Sequence, residues 1–513
     1  MLTHLIHKQT VELEVSSVSR AMEVQDRFRQ TYYEKLLPRM EEVFTSHSHE
    51  GLTYRLEKLE VDLGSLPGEA FEENLWERFV EVLTESLRNQ LDEEILFSVS
   101  QEEKVLPISQ QARHTDLLIY FLENGFLPWW AAHEPMQKLE KVLKEILDSG
   151  GEGKRLFFQK LLQLPAQKVA KRINRQFSHI LSATVYQRLL HHSSGNIQAW
   201  AALLDSVQAE DKQNVGLKKK IRSRVLLPWL LLVRQKSMAA GTAATLFVEL
   251  FRKEIANTSI QEVLSSNVLR NIQRVTKPSF LSYSASQLDF MKTLYKVLFS
   301  HEEVNKAKLP LVEASQKQVR ISKKEEVVAG QKENDPVEEE VIKPFLAEEG
   351  IFIQNAGLVL ISPFFGSYLG KLGLLEKEKF KDEAAHERAL LLSQYLVTAE
   401  HSFPEPEILL NKVLCGWPIQ KPAPKEFYPT DKESQEAREL LSSVISHWEV
   451  IKNTSIENFQ QFFLQREGKL SIHPDQYFLK VQRDGADILL EKLPWNISFQ
   501  RFTWMDRPLI AEW

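Results

Sequence analysis

The sequence predicts an α+β chain, predominantly α-helical and multidomain, with a small β-α-β-α N-terminal region, a helical middle and a short β-rich C-terminus. Three observations predict it. Apolar residues alternate over short runs near both ends, the period of a half-buried strand. Between those ends they recur every three or four residues, the period of a helix with one buried face. A stretch without aromatic residues, rich in Lys and Glu, then interrupts the helical pattern between Phe299 and Phe345.

Val11, Leu13 and Val15 alternate with Glu12 and Glu14 and give a first strand its apolar face. From Ser19 the period turns helical. Val24, Phe28, Tyr32, Leu36 and Met40 fall four apart, and Pro38, which lacks an N–H, is expected to kink that helix or begin a new one. Tyr54, Leu56, Leu59, Val61 and Leu63 predict a second strand, out of phase between Leu56 and Leu59 as a bulge would leave it, with Gly64 and Pro67-Gly68 stopping it. A second amphipathic helix follows on Phe71, Leu75, Phe79, Leu83, Leu87 and Leu91. Residues 110–300 read as helices of ordinary length, separated by Gly150-Gly151-Glu152-Gly153, Pro165, Ser194-Gly195-Asn196, Pro228 and Pro278. More helices follow the Lys/Glu stretch, with Pro404, Pro406, Pro418, Pro422 and Pro424 marking loops. Near the C-terminus, residues 477–481 and 488–490 flank Arg483-Asp484-Gly485, and the Asp-Gly pair predicts a hairpin turn.

A chain of 513 residues exceeds what one core supports, so the reading is several domains. They are an N-terminal strand-helix-strand-helix domain at 1–100, a helical domain at 101–300, a charged flexible linker at 301–345, a helical domain at 346–475, and a β-hairpin and Trp-rich segment at 476–513. A linker of that composition buries too little apolar area to offset its ordering entropy. With 43% hydrophobic and 26% charged residues the chain falls among ordinary globular proteins. The net charge of -6 makes nucleic acid a poor partner. One cysteine, Cys415, forms no internal disulfide and no thiolate zinc cluster, which fits a reducing compartment. No basic region followed by an apolar run and a cleavage site opens the chain, so no secretory signal is expected. Residues 351–370 carry no charge but include Gln354, Asn355 and three glycines, which reads as a buried segment, so membrane contact is not expected.

Searches for chemistry end without a motif. Gly153-Lys154 is followed by Arg155, with Asp148 where a phosphate loop needs glycine. His386-Glu387 has Leu390 where a zincin needs its second histidine. The pairs His4/His7, His47/His49 and His191/His192 lack companion ligands. Lys218-Lys219-Lys220 with Arg222 and Arg224 has no interleaved aromatics and reads as a solvated helix face. No catalytic, cofactor-binding or metal-binding residue is assigned, and no cofactor is expected.

Several longer strings change this picture. Residues 353–364, with Asn355-Ala356-Gly357-Leu358-Val359-Leu360 and Pro363, resemble a block of the contractile injection system tape measure family, found in antifeeding-prophage-type and related phage-tail-like particles. Residues 121–131, ending Leu127-Pro128-Trp129-Trp130-Ala131, and residues 59–64, with Asp62 and Gly64, resemble two earlier blocks. Residues 410–416 (ending at Gly416), 452–455, 463–470 (with Arg466-Glu467-Gly468), Leu493-Pro494-Trp495, and the ending from Trp504 to Trp513 follow in the family's order. The chain departs at Phe502-Thr503-Trp504, where a proline is expected before the tryptophan, and at Val397-Thr398-Ala399, where a glycine is usual. The blocks read physically as structure: Asn355-Ala356-Gly357 lets backbones approach closely, and Leu493-Pro494-Trp495 seats a large aromatic beside a fixed φ.

The resemblance implies a non-enzymatic assembly protein that helps set or initiate tail tube length with tail tube and baseplate or hub proteins, in the bacterial cytoplasm during assembly and then within the particle. Alternatives are a globular assembly chaperone, a baseplate or tip component of the same particle, and an effector enzyme. A tension follows from length. One continuous helix of this chain would reach roughly 770 Å at ~1.5 Å per residue, whereas prolines and aromatic-rich cores suit folded domains.

Overall fold

The computed structural model describes residues 4–6, 8–15, 18–48, 52–56, 58–64, 71–96, 108–132, 134–206, 221–254, 284–299 and 350–513. The expected linker at 301–345, the lysines at 218–220, His7, His49, Pro67-Gly68 and Pro278 lie outside them. The chain divides into two compact units, Met1–Phe121 with Leu127–Phe157, and Leu122–Phe126 with Phe158–Trp513.

In the first unit the helical periods become helices. Helix α1 (Val18–Thr31) runs through a π-helical turn, Tyr32–Leu36, into α2 (Leu37–Ser46). Apolar positions four apart drift by about 40° per step on a straight α-helix. The wider π turn unwinds part of that drift, so Leu36 and Met40 reach the core at 2% and 6% exposure, and Pro38 falls directly after the π turn, where the hydrogen-bond ladder changes register. Helix α3 (Phe71–Leu96) supplies the other side with Leu75, Phe79, Leu83 and Leu87. A two-residue strand β1 (Leu52–Thr53) pairs antiparallel with β2 (Ile108–Ser109), which leads into α4 (Gln110–Asn124). Helix α5 (Met136–Asp148) and the start of α6 (Glu152–Leu161) complete the unit.

Both N-terminal strand expectations need correction. Residues 8–15 join no ladder among the described residues, and Val11, Leu13 and Val15 are 46%, 39% and 38% exposed. Residues 58–64 are unladdered too, yet Leu56, Leu59, Val61 and Leu63 pack half-buried against the helical core. Alternation specifies a face, but a strand also needs a partner in register.

The second unit begins with helices α7 (Ala166–Gln176), α8 (His179–His191) and α9 (Gly195–Ser206). A π turn, Arg222–Leu226, leads into α10 (Leu227–Lys236), repeating the Leu-Leu-Pro arrangement of α2 with Pro228 in the first turn. Helices α11 (Ala240–Glu254) and α12 (Ala285–Phe299) close around Trp229, which is fully buried, donates its indole N–H to the Ala243 carbonyl at 2.8 Å and meets Phe290 edge-on.

The C-terminal part holds β3 (Ile351–Ile353), α13 (Phe365–Lys371), a hairpin of β4 (Leu375–Glu376) and β5 (Lys379–Phe380), α14 (Glu383–Thr398), α15 (Leu409–Cys415), α16 (Asp431–His447) and α17 (Ile456–Phe459). Its sheet runs β3-β6-β7-β9-β8, with β6 (Gly468–Ile472), β7 (Tyr477–Val481), β8 (Phe499–Gln500) and β9 (Leu509–Glu512). Leu470, Ile472, Tyr477, Leu479 and Val481 point inward on alternate positions. The strand at Tyr477–Val481 is as the sequence predicts, but its partners are not. It pairs antiparallel with β6 and parallel with β9, and a parallel pair requires a crossover in place of a tight turn. Asp484-Gly485 accordingly opens a 3₁₀ helix, Gly485–Lys492, as a capping box closed by Asp487. No helix among the described residues is long and apolar enough to cross a membrane; residues 351–370 fold into β3, two 3₁₀ turns and α13.

Candidate functional site

The motif residues of the C-terminal half fall into two packed joints. At the first, Gly357 lies on a 3₁₀ turn, Ala356–Leu360, against the π turn Gln460–Leu464. A Cβ there would sit 1.7 Å from the Phe463 carbonyl oxygen, so only glycine fits. The Ala356 N–H donates to the Arg466 carbonyl at 2.9 Å, and Gly468 leaves room for the Ala356 methyl. The Arg466 guanidinium grips Asp487 with two bonds of 2.8 and 2.9 Å and lies 5.5 Å from the Trp513 ring. Burial alone would raise the Asp487 carboxyl; Arg466 and the Asp484 N–H outweigh it and hold it below its usual value. Trp495 donates to the Leu360 carbonyl at 2.9 Å and meets Phe364 edge-on.

At the second joint Gly416, with φ +64°, ends α15, and a Cβ there would lie 2.0 Å from the Trp504 carbonyl oxygen. Trp504 donates its indole N–H to the Leu414 carbonyl at 2.9 Å and stacks on Phe502. Thr503, next to Trp504 where a proline is expected, donates its hydroxyl to the Glu378 carbonyl. Beside it His386 stacks 4.2 Å from Phe380, meets Trp417 edge-on and bonds the Cys415 carbonyl at 2.6 Å. Burial holds that imidazole below its ordinary pKa.

Asn355 is buried between the helices, donating to Gln394 at 2.8 Å and to Asn411 at 2.6 Å, while Asn411 donates to Ser393. Cys415 lies at the end of this polar run, fully buried, and burial pushes its thiol up to about 12. A thiol held protonated is a poor nucleophile and metal ligand.

Other motif residues stand apart from these joints. Pro363, Glu467 and Pro494 are exposed. In the first unit Gly64 takes φ +63°, its N–H bonded to Asp62 at 2.9 Å, and the Arg113 guanidinium lies 5.2 Å from the Trp130 ring. Pro128 caps the 3₁₀ turn that carries Trp129 and Trp130. Among the described residues, no group of three or more His, Cys, Asp or Glu is placed to hold a metal ion.

Sequence reasoning missed a buried charged site. Arg172 on α7, Glu405 and Lys412 on α15 are all 0% exposed. Arg172 bonds Glu405 through Nε at 2.9 Å and Nη2 at 3.1 Å, and Lys412 Nζ reaches the same carboxylate at 2.6 Å. Two cations around one anion leave a surplus positive charge in the core, and backbone carbonyls meet it. Five consecutive ones in the proline-spaced loop each accept from a side chain: Ile419 from Lys412, Gln420 from Arg172, Lys421 from Lys412 and Trp417, Pro422 from Arg175, and Ala423 from Gln176. Pro418, Pro422 and Pro424 keep that loop out of helix and sheet, so its carbonyls stay free to accept. Gly125, with φ +87°, makes room, since a Cβ there would lie 2.4 Å from a Glu405 oxygen. The glycine within the block at 121–131 and the prolines of 418–424 were the signals available in the sequence.

No curated protein and no solved structure matches the chain. The family profile described as contractile injection system tape measure protein matches residues 3–513. The match runs through both compact units and through every motif block described above. The chain therefore belongs to the contractile injection system tape measure protein family, whose members act within an injection particle alongside its tail components.

Proposed function

We propose that this chain works as a folded, non-enzymatic assembly protein that helps set or initiate tail tube length together with tube and baseplate proteins, in the bacterial cytoplasm and then within the particle. The family match over residues 3–513 supports the assembly role. The buried joints support action in the folded state. A chain that measured by its own contour would have to expose Arg172, Glu405, Lys412 and the core tryptophans Trp229 and Trp448, all of them buried.

Electron microscopy of particles tests both parts. Cells lacking the protein are expected to yield few particles or tubes of scattered length, and particles of normal number and length would overturn the assembly role. Deleting residues 302–344 is expected to leave tube length unchanged. Tubes shortened in proportion would instead establish measurement by contour.

A further inference from the structure

We infer that Arg172, Glu405 and Lys412 form an internal clasp that binds the helical segment 158–254 to the segment 350–513 without help from the covalent connection between them. The stretch 300–349 then connects two parts of one body, and is not a spacer between separable domains.

The clasp is a surface with a defined complement. Lys168, Arg172, Arg175 and Gln176 lie on one face of α7, at helical spacing. Three of the four carry only donors. Opposite it stands a row of acceptors: the Glu405 carboxylate and the carbonyls of Gln420, Pro422 and Ala423. Lys168 bonds the Gln420 side chain at 2.8 Å, and Arg175 reaches Glu387 at 3.0 Å. The Gln176 amide closes a two-way link, accepting from the Glu405 N–H at 2.9 Å and donating to the Ala423 carbonyl at 2.8 Å. Every one of these bonds joins positions more than 200 residues apart in the chain.

Burial makes the clasp cooperative. The Lys412 ammonium has three protons and three acceptors, Glu405, Ile419 and Lys421. If α7 leaves, Glu405 keeps one cation, but the carbonyls of Gln420, Pro422 and Ala423 lose their side-chain donors. Arg172 meanwhile loses the Glu405 carboxylate. Partial opening strands buried polar groups, so the segments stay together or separate as a whole. The inference stands on these contacts and not on the assembly role, and its test contains no particle.

The experiment inserts a specific protease site within residues 315–330 of the full-length protein and cleaves to completion, scored on a denaturing gel. Size-exclusion chromatography with light scattering then reads the native mass. The cut protein is expected to run as one species near the 59.4 kDa of the intact chain, with unchanged circular dichroism. Two separating fragments would overturn the inference. In cut Glu405→Gln protein the fragments are expected to dissociate at concentrations at least 100-fold above those at which the cut wild type holds. If uncut Glu405→Gln protein does not fold, Arg175→Gln, at a partly exposed position, replaces it with a weaker expected loss of about 10-fold. Cut variants that hold together as tightly as wild type would show that other contacts join the segments, and the clasp would be rejected.

Discussion

At the scale of residues, the surplus charge in the core decides which substitution costs most. Glu405 bonds two buried cations, so Glu405→Gln removes the carboxylate that both of them share. Removing one partner of a buried pair costs about 3–5 kcal/mol. Lys412→Met instead leaves a balanced Arg172–Glu405 pair and strips a donor from two carbonyls, a loss of about 1–3 kcal/mol. Urea unfolding followed by Trp fluorescence is expected to rank Glu405→Gln well below Lys412→Met, and the reverse order would refute the charge argument. His386 supplies a pH dependence. Burial holds its folded pKa below the ordinary imidazole value of about 6.5, so the neutral ring is the one the fold prefers. That contribution is complete above 6.5 and is lost as pH falls through the depressed folded value. Melting temperature is expected to drop between pH 7 and pH 5, before most carboxylates titrate, and less steeply in His386→Gln.

At the scale of elements, the two positions where the chain lacks an expected glycine or proline become legible once backbone angles are known. Helix α14 ends at Ala399, which takes φ +56° as its C-cap. A left-handed residue with a Cβ costs about 1–2 kcal/mol, and glycine returns about 0.5–1 kcal/mol of that in chain entropy. Ala399→Gly is therefore expected to stabilise the protein by about 0.5–1 kcal/mol, read as a higher urea midpoint at constant slope. A similar local economy explains the β4–β5 hairpin, which turns on Lys377 and Glu378, both at positive φ and neither Gly nor Asn. The Thr503 hydroxyl meets the Glu378 carbonyl at that turn, a bond that the proline expected there would have no donor to make.

At the scale of the whole molecule, two compact units predict more than one unfolding transition. The core of Leu36, Met40, Leu75, Phe79, Leu83 and Leu87 belongs to the first unit and the Arg172–Glu405–Lys412 cluster to the second. Leu83→Ala opens a cavity worth about 2–5 kcal/mol. Scanning calorimetry is expected to show that variant lowering one transition while Glu405→Gln lowers another. A single endotherm that both variants shift alike would mean the units unfold as one.

The sequence by itself determined the family, through its ordered motif blocks, and the helix-dominated α+β class, the helical periods of α1 to α3 and the strand at Tyr477–Val481, because periodicity is a local property. Only the tertiary structure decided which extended runs found partners. Val11, Leu13 and Val15 have the alternation of a strand and join none among the described residues, while Asp484-Gly485 starts a helix because Asp487 and Arg466 hold it there. The clasp was invisible for the same reason. Lys168, Arg172 and Arg175 carry the spacing of a solvated helix face, and what places Arg172 in the core is a carboxylate 233 positions away and a row of carbonyls that proline leaves unpaired. Charge pattern along a chain gives the face; the dielectric that face meets is set by what folds against it.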